Sequence, residues 1–66
     1  MTLKQFLRLA LEPVEGKRKG QHFANMLAQH RYNLFEELQA EGLDPYYTDE
    51  RLWAAIEFVK NNWSDF

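Results

Sequence analysis

Hydrophobic positions recur three and four residues apart in four stretches of the chain, the spacing of one face of a helix rather than the alternation of a strand. In the first, Leu3, Phe6, Leu7, Ala10 and Leu11 share a face, and Thr2-Leu3-Lys4-Gln5 has the form of a capping box. The Thr2 hydroxyl can accept from the Gln5 N–H, while the Gln5 side chain accepts from the Thr2 N–H. The spacing predicts a helix over Leu3 to Leu11, stopped by Pro13, which biases Glu12 away from helical angles.

Pro13 to Gly20 holds a proline, two glycines and the consecutive cations Lys17, Arg18 and Lys19, a loop by composition and the segment expected to move most. From Gln21 the helical pattern resumes through Phe23, Met26, Leu27 and His30 or Arg31. Asn33-Leu34-Phe35-Glu36 again reads as a capping box, so the pattern either kinks or restarts near Arg31-Tyr32; one helix and two both fit. Leu34, Phe35 and Leu38 continue the apolar side to Gly42, suited to the left-handed position after a helix, with Leu43 as its apolar contact. Asp44-Pro45-Tyr46-Tyr47 predicts a turn, Asp44 bonding the backbone two residues on.

Thr48 then caps the last predicted helix, and Asp49 and Glu50 place negative charge in its first turn. Leu52, Trp53, Ile56, Val59, Lys60 and Trp63 follow the helical period, and Asn61-Asn62 with Ser64-Asp65 predict fraying near Trp63. The expected architecture is a single all-α domain over residues 1–66, a compact three- or four-helix mini-domain.

Composition supports folding. A chain of 66 residues buries only about 60% of its unfolded surface, so stability rests on dense packing. Five Phe, three Tyr and two Trp supply large apolar bodies, and a net charge of only −2 argues against disorder. With no cysteine, the chain has neither disulfides nor thiolate zinc ligands, which suits a reducing cytoplasm. Charges interrupt every apolar stretch well short of the roughly 20 residues a spanning helix needs, and Met1 to Arg8 lacks the apolar core and cleavage site of an export signal. A soluble, cytoplasmic protein with no membrane partner is expected.

Catalytic constellations are thin. His22 and His30, eight residues apart, would stand roughly 12 Å apart along one helix, too far to grip a shared metal. The sole serine, Ser64, sits near the polar carboxyl end, where little shields a reaction from water. Gly16-Lys17-Arg18-Lys19-Gly20 has neither the spacing nor the preceding strand of a phosphate-binding loop. No enzyme activity, cofactor or metal is expected.

Binding residues are easier to nominate. Tyr46 and Tyr47 cannot easily face one core together, and Tyr combines an apolar body, a polar tip and little rotamer entropy. Trp53 and Phe58 stand about 140° apart on a helix, so one stripe does not readily bury both. The candidate partner-binding set is Lys17, Arg18, Lys19, Asp44, Tyr46, Tyr47, Trp53 and Phe58. A helix-turn-helix over Gln21 to Glu41 can be drawn, with Lys17, Arg18, Lys19 and Arg31 as phosphate contacts. Glu36, Glu37 and Glu41 on its second helix would meet phosphate with the wrong sign, which leaves nucleic acid as the lesser alternative.

Phe23-x-x-x-Leu27-x-x-x-Arg31, Gly42-x-Asp44-Pro45-Tyr46-Tyr47-x-Asp49, Leu52 and Asn62-Trp63 together resemble a group of short, mostly uncharacterised bacteriophage-encoded proteins. The resemblance spans about two-thirds of the chain; where the group has proline after the arginine, this sequence has Tyr32. It implies a phage product acting in the bacterial host cytoplasm and carries no established activity. The expectation is therefore a small non-enzymatic interaction protein that binds and modulates a host or phage protein, as a host-takeover or anti-defence inhibitor. A nucleic-acid binder using the basic loop and a structural homo-oligomer are the alternatives.

Overall fold

A computed structural model describes residues 1–64. Asp65, invoked above for fraying, lies outside them. The protein is all-α, with α1 (Leu3–Ala10), α2 (Lys19–His30), α3 (Tyr32–Ala40), a single 3-10 turn (Asp49–Arg51) and α4 (Leu52–Asn62). No strand occurs among the described residues.

The first helix begins as its sequence dictates. Gln5 N donates to Thr2 Oγ1 over 3.2 Å and Thr2 N donates to Gln5 Oε1 over 2.9 Å, the reciprocal pair of a capping box. It ends one residue earlier than expected, with Leu11 as an exposed C-cap rather than part of the buried face.

The boundary of α2 departs from the sequence reading. The helix starts at Lys19, two residues before the expected Gln21, so Lys19 and Gly20 belong to its first turn and not to the loop. Between α2 and α3 the chain restarts through one residue. Arg31 (φ −144°, ψ 69°) donates its N–H to Leu27 O and its own carbonyl accepts from Phe35 N. Two helices therefore replace the one-or-two ambiguity, and the expected Asn33 cap is absent because α3 already includes Tyr32 and Asn33.

The end of α3 follows the prediction. Leu43 N donates to Leu38 O and Gly42 N to Gln39 O, with Gly42 at φ 74°, the paired bonds of a Schellman ending. Leu43 packs against the core as that motif requires. At Asp44 the turn forms as read, with Tyr46 N donating to Asp44 Oδ1 over 2.9 Å. Thr48 Oγ1 accepts from Glu50 N, but the cap opens the 3-10 turn first and α4 only from Leu52.

The core is drawn from every helix: Phe6 and Ala10 from α1, Phe23 and Leu27 from α2, Leu34 and Leu38 from α3, Ala55 and Val59 from α4. Helix α2 is central, packing against α1, α3, α4 and the 3-10 turn. Phe6, fully buried, meets Phe23 edge-on at 5.8 Å and stacks on Trp63 at 4.9 Å. Geometries of this kind contribute about 0.5–1.5 kcal/mol beyond area burial. On the outer side of Trp63 the Arg31 guanidinium lies 4.0 Å from the ring centre. One stack thus joins α1, the α2–α3 break and the end of α4.

Candidate functional site

The two segments singled out in the sequence, the basic loop and the Asp44–Thr48 turn, are far apart in the chain and adjacent in space. Asp49 joins them. Its Oδ1 accepts from Gly20 N over 2.9 Å and from Arg18 Nη1 over 3.2 Å, while Arg18 Nη2 donates to the Tyr46 carbonyl.

This arrangement solves a local problem. The first N–H groups of a helix have no partner within it, and the α2 N-cap, Arg18, makes no side-chain cap bond. Asp49, 29 residues away, takes the place of a cap by receiving the Gly20 N–H. Its charge also meets the positive end of α2. The approach is close because residue 20 is glycine: a Cβ there would sit 2.3 Å from the Pro45 carbonyl oxygen.

The nominated residues divide accordingly. Arg18 is held in this clamp, and Asp44 is turned inward, with Oδ1 on Tyr46 N and Oδ2 accepting from Gln39 Nε2. Phe58 is half-buried against the core and not a free aromatic, because 140° from Trp53 carries it to the edge of the apolar face. Tyr46 is half-buried, its ring 4.8 Å from that of Tyr47.

Four nominees remain open to solvent: Lys17, Lys19, Tyr47 and Trp53. Tyr47 is 85% exposed and Trp53 74% exposed, on either side of the 3-10 turn. Trp53 and Lys60, read above as part of the apolar period, point away from the core. Glu50, in the 3-10 turn, and Glu57, half-buried on α4, lie three residues before and four residues after Trp53. Glu57 pairs with Lys60 over 3.7 Å, and Glu50 has no ion pair among the described residues.

Asp49 and Gly20 are the residues that sequence reading missed. Asp49 was assigned to the first turn of the last helix, a local role that its charge also fits. Gly20 carries no local signal, because beside Lys17, Arg18 and Lys19 it reads as part of the loop, where glycine is ordinary.

A cleft of about 290 Å³ lies between the end of α1 and the start of α2. Leu11, Pro13 and Val14 line it with Lys17, Lys19 and His22. His22 Nε2 is occupied, donating to the Leu9 carbonyl over 2.9 Å. Among the described residues no three His, Cys, Asp or Glu side chains are grouped to hold a metal, and no helix is long and apolar enough to cross a membrane. No family model, curated protein or solved structure matches the chain.

Proposed function

We propose that this protein is a non-enzymatic interaction module that binds a protein partner through the surface around Tyr47 and Trp53. The observation that carries the reading is their exposure, 85% and 74%, on a turn and helix start fastened to α2 by Asp49. Aromatic side chains lose little rotamer freedom on binding and bury about 150–250 Å² each, which makes fixed, exposed ones effective anchors. The resemblance carried by Gly42 to Asp49 and by Asn62-Trp63 supports a bacterial host protein as the partner, and a modulating or inhibitory outcome.

The test compares tagged wild type with Tyr47→Ala/Trp53→Ala in capture from bacterial lysate, both showing the same helical circular dichroism. A protein retained by the wild type and lost from the double variant is expected. Identical capture profiles from the two proteins would overturn the reading.

A further inference from the structure

Of the eight lysines and arginines, Arg31 alone is half-buried; the others are exposed. A charge drawn in from water normally has an opposite charge beside it. Arg31 has none. The ion pairs among the described residues are Arg18 with Asp49 and Lys60 with Glu57, and the Arg31 guanidinium makes no hydrogen bond there.

The packing explains how the cation is held in place. Its guanidinium carbon lies 4.0 Å from the centre of the Trp63 ring, and that ring stacks on buried Phe6 at 4.9 Å. The backbone is fixed as well, since Arg31 N donates to Leu27 O and Arg31 O accepts from Phe35 N. Contact through the ring face engages the charge and leaves the N–H edge of the guanidinium unbonded.

Nothing nearby neutralises it. The negative end of α2 and the positive end of α3 meet at Arg31 and largely offset each other. No acidic residue occurs in α1 or in the first turn of α3. Trp63 Nε1 is buried and also lacks an acceptor among the described residues, so the cluster holds donors with no oxygen to receive them.

We propose that Arg31 is an oxyanion-binding residue, its guanidinium edge donating to two oxygens of a carboxylate or a phosphate while Trp63 supports its face. A planar fork of N–H groups matches such a pair of oxygens bidentately, which an ammonium does not. With the side chain already laid on the ring, little of its rotamer freedom is left to lose on binding. The ligand is a small oxyanion and not a polyanion, because Glu36, Glu37 and Glu41 stand exposed along α3 and at its end, and would repel a longer acidic chain. The site uses neither Tyr47 nor Trp53.

Nuclear magnetic resonance of the isotope-labelled full chain, titrated with inorganic phosphate and with acetate, tests this. The readouts are the Arg31 Nε–H and the Trp63 indole N–H, which Trp53→Phe identifies by elimination. Both resonances should shift saturably in the millimolar range, and should stay in place in sodium chloride of the same ionic strength. Arg31→Gln should abolish the Trp63 shift with helical circular dichroism retained. Arg31→Lys, which keeps the charge without the fork, should bind at least about tenfold more weakly. Saturation by both anions assigns both, and saturation by one narrows the class to that one.

An Arg31 Nε–H that moves no further in phosphate or acetate than in chloride overturns the proposal, and this readout needs no substitution at the site. A Trp63 shift that survives Arg31→Gln also overturns it, as does an Arg31→Lys protein that binds as tightly as wild type.

Discussion

Replacing Gly20 with alanine sets two effects of opposite sign against each other at one residue. Alanine is the better helix former by about 1 kcal/mol in a helix interior, so propensity alone makes Gly20→Ala stabilising. The packing says otherwise. The new Cβ would meet the Pro45 carbonyl oxygen at 2.3 Å and Asp49 Oδ1 at 2.8 Å, and Pro45 is fully buried and cannot give way as a flexible side chain would. Relief requires α2 to move off the turn, which stretches the Gly20 N–H bond to Asp49. Overpacking costs about 1–3 kcal/mol, and a hydrogen bond to a charged acceptor is worth about 1.5–3 kcal/mol, towards the lower end for this half-exposed carboxylate. Less the propensity gain, the net loss is about 1.5–4 kcal/mol. In a domain of this size that corresponds to a fall in melting temperature of about 6–32 °C. Urea and thermal unfolding followed by far-UV circular dichroism read it directly. Gly16→Ala is the comparison: Gly16 has φ 83° and open space around it, so it bears only the left-handed penalty of about 1–2 kcal/mol. A Gly20→Ala protein as stable as wild type would refute the close approach of α2 to the turn.

Asp49→Ala should lower stability by about 0.5–2 kcal/mol through loss of the cap on α2, and hydrogen exchange should show faster opening in the first turn of that helix. Unchanged protection at Gly20 and Gln21 would count against capping by Asp49. Arg31→Ala should cost about 0.5–2 kcal/mol by uncovering Trp63; in a Trp53→Phe background, Trp63 emission should move to longer wavelength, and constant emission would rule out the stack.

The parts of the fold legible in the sequence are those whose partners lie close along the chain. The capping box of Thr2 and Gln5, the Gly42-Leu43 ending and the Asp44 turn each close within five residues, so local chemistry determines them. Where a distant partner takes part, local reading fails. Asn33 and Glu36 present a plausible cap, yet the chain breaks two residues earlier. Arg31 is fixed there, its guanidinium resting on Trp63, which comes from the far end of the chain. The start of α2 is hidden for the same reason, because its cap is supplied 29 residues away. For the candidate site, sequence named the right neighbourhoods and the exposed aromatics Tyr47 and Trp53, but could not sort the side chains facing out from those turned inward.

That sorting changes how the basic loop has to be treated. Lys17, Arg18 and Lys19 are three adjacent cations, and as a motif they invite removal together. In the fold they are unlike: Arg18 bonds the Asp49 carboxylate and the Tyr46 carbonyl, whereas both lysines are exposed. Removing all three would loosen the turn that carries Tyr47 and the 3-10 start ahead of Trp53, so lost binding would mix a displaced aromatic surface with missing charge. The same reasoning weakens the nucleic-acid alternative, since of its four proposed phosphate contacts Arg18 is held by Asp49 and Arg31 lies past the opposite end of α2 from both lysines. Only Lys17 and Lys19 can be changed as a question about charge alone. With Arg18 retained, whatever they alter belongs to the surface and not to the clamp.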